Sequence, residues 1–181
     1  SRDTRPSGLM VEQAVIAGLL SVGCQPILAG VIPTPTLQIA VDELNASGGI
    51  AITASHNPLP WNALKFVNDK GMFLNSTEAG EVLDIYNQEN THHVVEESLK
   101  SIKTLENAFA FHLKRILEQI NVTSIKKHKL RVAIDCGSGA GAPFTEDFIK
   151  QLGCEVYAIN TNSDGKFNRK LEPTPDALSE L

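Results

Sequence analysis

Residues Gly48 to Asn68 read GGIAITASHNPLPWNALKFVN, and the way this stretch folds organises the rest of the chain. The apolar run Ile50 to Ile52 follows a glycine pair and ends in small residues, the pattern of a short buried strand. The strand then stops: Asn57-Pro58 is a turn-initiating pair, and Pro60 stiffens the residues after it. A second apolar run, Ala63 to Val67, leaves the loop carrying one cation, Lys65. A hydroxyl (Ser55), an imidazole (His56), an amide (Asn57) and an amine (Lys65) therefore lie within eleven positions, on a loop between two strands.

Outward from this loop, the chain alternates helical and strand-like segments. Leu9 to Val22 predicts a helix stopped by Gly23, and Gln25 to Ile32 a strand. Pro33-Thr34-Pro35 predicts a helix start, with Thr34 as N-cap and Pro35 in first position. Asp69-Lys70-Gly71 has hairpin-turn chemistry, and Asn75 with Glu78 forms a capping box for a helix to about Gln88. Glu96 to Ile120 carries a long helical pattern with a break point near Ser101, and Asn121 to Lys129 reads as a solvated linker between domains. Leu130 to Ile134, Gly-rich Asp135 to Gly141, Phe144 to Leu152 and Cys154 to Asn160 then form a strand, turn, helix and strand. That turn lacks the spaced G-x-G-x-x-G pattern and no acidic residue ends the second strand, so it does not read as a dinucleotide site.

With 181 residues, 42% hydrophobic and 20% charged, the chain is globular. Its net charge of -5 gives no basic field, which argues against nucleic acid or an anionic membrane as partner; anionic ligands must be met by local cations. Cys24, Cys136 and Cys154 lack CxxC spacing and read as buried, reduced thiols of a cytoplasmic protein. The N-x-[ST] triplets at Asn45, Asn75 and Asn121 read as chance, and adjacent His92 and His93 as surface residues.

The six residues Thr53-Ala54-Ser55-His56-Asn57-Pro58, followed by Trp61-Asn62-Ala63-Leu64-Lys65, resemble the active-serine loop of the α-D-phosphohexomutases, the family of phosphoglucomutases, phosphomannomutases and phosphoglucosamine mutases. Arg2-Asp3-Thr4-Arg5-Pro6-Ser7-Gly8 is similar to the loop that borders that active site. Asp164-Gly165-Lys166-Phe167 and Glu172-Pro173-Thr174-Pro175 resemble the start of the family's second domain. The resemblance implies a mixed-sheet α/β/α domain over residues 1–125 and the start of a second, similar α/β domain over 126–181. It also implies that the chain is a piece of a longer mutase, inactive alone, with the remaining domains of the same chain as its partners.

By the same resemblance Ser55 carries a phosphoryl group, with Lys65 and His56 as candidate acid/base groups. Arg5 and Asn57 count as phosphate-binding positions, since an arginine fork can grip phosphate through two hydrogen bonds. Mg²⁺ is expected, ligated in this chain by Ser55 through its phosphate only, with a hexose 1,6-bisphosphate as activator and intermediate. The expected substrate is a hexose or hexosamine phosphate, with phosphoglucosamine mutase first among the branches and phosphoglucomutase or phosphomannomutase as alternatives. Departures at Trp61-Asn62-Ala63 and after Phe167 leave the branch open. Two rivals stand outside the class. A sugar-phosphate binding module is one. The other, a serine hydrolase, lacks a G-x-S-x-G elbow, and adjacent side chains on an extended segment point apart, which would keep His56 from Ser55.

Overall fold

The computed structural model describes residues 1–88 and 91–181. Helix α1 (Gly8–Ser21) ends where Gly23 turns left-handed at φ 79°, with the Cys24 N–H donating to the Leu19 carbonyl. A short strand, β1 (Ile27–Leu28), leads into α2 (Thr34–Glu43). Pro33 is the N-cap of α2 and Thr34 is already helical, one position earlier than Thr34 as cap predicts.

Strands β2 (Gly49–Ile52) and β3 (Leu64–Val67) pair antiparallel, with Ala51 opposite Lys65. The N-terminal segment fills the gap between β2 and the end of the first strand segment. Arg2 bridges to both Val31 and Ile52 in parallel fashion, with its N–H donating to the Gly30 carbonyl and the Asp3 N–H to the Ile52 carbonyl. Single parallel bridges from Arg2 thus link the segment after β1 to β2, which pairs antiparallel with β3, so parallel and antiparallel pairings are mixed as the resemblance implies.

Helix α2 covers one face of this sheet. Ile32, Leu37, Val41, Ala51, Val67 and Ala108 form its buried cluster, and a Cβ on Gly49 would meet Val41 at 2.7 Å. Ile52, alternating to the other face, is also buried, as is Ile16 of α1, the helix that lies against β2. The hairpin continues to Phe73, which bridges Val67. At its tip Gly71 (φ 71°) leaves 2.4 Å between a would-be Cβ and the Gln38 carbonyl oxygen, so only glycine fits. Asn75 and Glu78 form the predicted capping box: the Asn75 side chain accepts from the Thr77 and Glu78 N–H groups while Glu78 accepts from the Asn75 N–H, starting α3 (Ser76–Gln88).

Two expectations are corrected here. The helical reading of Glu96 to Ile120 holds only well past its break near Ser101: a 3₁₀ turn (Glu96–Ser98) is followed by β4 (Lys103–Thr104), and only α4 (Phe109–Gln119) is α-helical. The parallel edge of β1 captures Lys103 and Thr104, with the Lys103 N–H donating to Pro26 and the Leu105 N–H to Leu28. Strand pairing therefore overrides helical propensity in that segment. The linker Asn121 to Lys129 is in fact α5 (Val122–His128), capped by the Asn121 side chain, which accepts from the Ser124 N–H. Two of the three N-x-[ST] asparagines are thus helix caps.

Helix α4 docks on α2 through Thr36 Oγ1 and His112 Nδ1 at 2.9 Å and through Arg115 with Asp42 and Glu43. Phe109 on the same helix stacks on Phe144 at 4.6 Å, tying it to the second unit. That unit runs β5 (Arg131–Asp135), α6 (Ala142–Gln151) and β6 (Glu155–Ile159), with parallel pairing of Asp135 to Ile159. All three cysteines are free, and none is fully buried as expected: Cys136 and Cys154 are half-buried, and Cys24, in the turn just past the end of α1, is exposed.

Candidate functional site

Ser55 is the tip of the loop that leaves β2. The strand is buried through Ala54, and every residue from Ser55 to Trp61 is exposed. Its backbone is left-handed, φ 56°, a conformation that costs a non-glycine residue about 1–2 kcal/mol. The groups that hold it there lie below the loop. Thr53 Oγ1 accepts from the Ser55 N–H at 3.1 Å and donates to Asp3 Oδ2 at 2.7 Å. The Asp3 carboxylate also accepts from the Arg5 N–H and from Arg5 Nε.

Arg5 is 2% exposed, and all five of its side-chain N–H donors are engaged. Nε meets Asp3; one terminal nitrogen donates to the carbonyls of Pro58 and Trp61, both at 2.9 Å; the other donates to Ser55 at 3.0 Å and Asn57 at 2.7 Å. A guanidinium fork so occupied has no donor left for a phosphate. The expectation of Arg5 as a phosphate ligand is therefore corrected: it is the clamp that shapes the serine loop. Asn57 likewise enters the loop through its backbone, accepting from Arg5 and donating to the Ala54 carbonyl.

The left-handed turn at Ser55 has a second consequence. Because the segment is not extended, Ser55 Oγ and His56 Nδ1 approach to 3.4 Å, so the premise that neighbouring side chains point apart fails here. The other ring nitrogen, Nε2, lies 3.1 Å from Glu172 Oε2. Lys65 sits half-buried in β3 opposite Ala51, and no described residue holds its ammonium in an ion pair or hydrogen bond. The structure thus brings Ser55 and His56 into contact, while Lys65 stays on the strand that leaves the loop. Asp3 and Thr53, the two residues that brace the loop from below, carry no sequence signal of that role beyond their place beside Arg5 and Ser55.

The Gly-rich turn of the second unit is spent on docking. Ser138 is 1% exposed, donates its N–H to the Asn160 carbonyl, and its own carbonyl accepts from Thr4 Oγ1 at 2.8 Å. Among the described residues no three His, Cys, Asp or Glu side chains are grouped to enclose a metal. Ser55 offers one exposed oxygen, to which a phosphate would add hard oxygens of the kind Mg²⁺ takes. Asp3, directly beneath the loop, is committed to Arg5 and Thr53.

Comparison with known proteins agrees with this geometry over both units. Residues 1–93 match phosphoglucomutase/phosphomannomutase α/β/α domain I, and residues 110–181 match domain II. A phosphoglucomutase/phosphomannomutase of Thermococcus kodakarensis is 36% identical over 98% of this chain and 39% of its own length. A phosphoglucosamine/phosphogalactosamine mutase of Sulfurisphaera tokodaii is 38% identical over 99% of this chain and 40% of its own. A crystal structure from Thermus thermophilus superimposes with TM-score 0.84 at 26% identity, covering 99% of this chain and 41% of that one. The chain spans about 40% of the length of these curated relatives. Two consecutive domain matches, laid over a clamped serine loop and the unit docked beside it, show that the chain belongs to the phosphoglucomutase/phosphomannomutase family.

Proposed function

We propose that this chain carries the phosphoryl-bearing serine of a phosphohexomutase, which interconverts hexose 6-phosphate and hexose 1-phosphate through a hexose 1,6-bisphosphate. The observation that supports it most is Ser55 itself: a hydroxyl at an exposed tip, in a left-handed conformation braced by a buried arginine. Phosphoryl transfer needs a fixed donor position and charge neutralisation more than covalent ingenuity, and a clamped loop supplies the fixed position.

In the forward half, the bond between Ser55 Oγ and phosphorus breaks as a hexose hydroxyl oxygen bonds to that phosphorus, and the hydroxyl proton leaves to a base. In the return half, Ser55 Oγ attacks the other phosphoryl group of the bisphosphate, its proton passes to a base, and the sugar oxygen is released protonated. His56 Nδ1, 3.4 Å from Ser55 Oγ, is the base within reach of the hydroxyl; Lys65 serves as the cation for the moving phosphoryl group. Mg²⁺ would be met in this chain by phosphorylated Ser55 alone, and it supplies neutralisation of the phosphoryl charge. The free cysteines support a cytoplasmic setting.

For the sugar we favour a hexosamine phosphate. A relative named phosphoglucosamine/phosphogalactosamine mutase, 38% identical in Sulfurisphaera tokodaii, and one named probable phosphoglucosamine mutase, 35% identical in Methanobrevibacter smithii, support that branch. The test is peptide mapping of the full-length protein after incubation with glucosamine 1,6-bisphosphate or glucose 1,6-bisphosphate and Mg²⁺. One phosphoryl group on Ser55 is expected, faster from the hexosamine. Ser55→Ala abolishes turnover and Lys65→Ala slows it about 100-fold or more. Near-normal turnover in Ser55→Ala would refute the mechanism, and an unlabelled Ser55 would leave a sugar-phosphate binding module as the reading.

A further inference from the structure

We propose that Glu172 is a positioning residue for the serine loop, acting through His56; this rests on Ser55 as the phosphoryl carrier. Glu172 lies 116 positions beyond His56 in the chain, yet its Oε2 is 3.1 Å from His56 Nε2. The segment that carries it is seated on the first unit. Gly165, at φ 79°, approaches so closely that a Cβ would stand 2.7 Å from the Thr4 carbonyl oxygen and 3.5 Å from Pro6. Four residues on, Arg169 pairs with Asp135, whose side chain is 2% exposed, at the end of β5. The segment is therefore held at two points before it delivers Glu172 to the serine loop.

The chemistry of the imidazole gives this contact its meaning. A carboxylate only accepts, so Nε2 carries the proton shared with Glu172. Nδ1 is then the nitrogen left toward Ser55 Oγ, at 3.4 Å. Without an acceptor at Nε2 the ring, more than half exposed, is free to turn away from Ser55. Since the 164–172 segment belongs to the second unit and the serine loop to the first, correct seating of one unit on the other becomes a condition for an oriented His56. Both partners are solvent-accessible, so the contact directs the ring and adds little to stability.

The test uses the full-length enzyme with Glu172→Ala and Glu172→Gln, each alone and combined with His56→Ala. Glu172→Ala is expected to lower kcat about two- to five-fold, the coupling typical of an exposed pair, with KM unchanged. Glu172→Gln, whose amide oxygen still accepts from Nε2, stays within about two-fold of the parent. In the His56→Ala background, Glu172→Ala costs nothing further. A second readout is independent of turnover: carbethoxylation of His56 by diethyl pyrocarbonate, mapped by mass on the full-length protein, is expected to rise about two- to five-fold in Glu172→Ala. Parent-like kcat and parent-like carbethoxylation in Glu172→Ala overturn the proposal, as does an undiminished loss in the His56→Ala background. An unlabelled Ser55 in the parent enzyme overturns the phosphoryl-carrier reading and the kinetic part with it, while carbethoxylation still decides whether Glu172 holds the ring.

Discussion

Replacing Arg5 by Met isolates what the buried guanidinium does for the serine loop. Methionine approximates the aliphatic stem and removes all five donors, which meet Asp3, Ser55, Asn57, Pro58 and Trp61 at 2.7–3.1 Å. Hydrogen bonds to a charged donor are worth about 1.5–3 kcal/mol each, so a simple sum would rival the whole stability of a domain, about 5–15 kcal/mol. That sum overcounts. Ser55, Asn57, Pro58 and Trp61 are exposed, and their carbonyls would regain water once the guanidinium is gone. The dry remainder is the Asp3 carboxylate, 16% exposed, left with Thr53 and one backbone N–H as donors. The cost then approaches that of breaking one buried ion pair, about 3–5 kcal/mol. Arg5→Lys retains the charge but offers three donors without the planar fork, and about half that loss is expected.

Urea unfolding followed by far-UV circular dichroism measures this directly; at about 2 kcal/mol per M, the Arg5→Met midpoint falls by about 2 M. Trp61, the single tryptophan, reports on the loop itself, because its carbonyl is one of the atoms Arg5 holds. Acrylamide quenching of Trp61 should rise in both variants before any global unfolding. An Arg5→Met protein within about 1 kcal/mol of the parent, with unchanged quenching, would refute the clamp.

At Ser55 the left-handed backbone separates two inactive variants: Ser55→Gly should be more stable than Ser55→Ala by about 1 kcal/mol, and equal melting of the two would show that the strained backbone relaxes elsewhere. Asp135 carries the pH dependence. Burial by itself pushes its carboxyl up, but hydrogen bonds from Asn160, the Gly137 N–H and Arg169, with the Arg169 charge, outweigh that and hold it below the ordinary 3.8. A carboxyl lowered by folding contributes stability that is fully present above its unfolded value and is lost as pH falls through the folded one. Asp135→Asn should therefore flatten the acid limb of stability below about pH 4; an unchanged limb in urea melts at pH 5 and pH 3 would sink this account.

Much of the fold was legible because its signals are local. The helix stop at Gly23, the hairpin chemistry of Asp69 to Gly71, the Asn75 and Glu78 capping box and the strand-turn-helix-strand order after Leu130 depend on residues a few positions apart, and each forms as its chemistry predicts. Lys103 and Thr104 carry a helical pattern yet pair as strand, because their partners are in β1, some 76 positions away. The chemistry that makes Ser55 a candidate was equally legible, since the loop's hydroxyl, imidazole and amide lie in consecutive residues.

The roles around Ser55 depend on distant parts of the chain. Sequence shows that Arg5 is an arginine in a polar loop beside a helix, which suits a phosphate ligand and a buried clamp equally well. The choice is made by the sheet, which places residues 1–3 in parallel beside Ile52 and so lays Arg5 under the carbonyls of a loop 50 positions on. His56 reaches Ser55 because one backbone angle is left-handed, and it reaches Glu172 because a glycine lets the second unit press against Thr4. Covalent order alone puts a hydroxyl, an imidazole, an amide and an amine on one loop. Which of those groups keeps a free donor, and which is already spent, is set by where remote strands and segments come to lie, and that exists only in the folded chain.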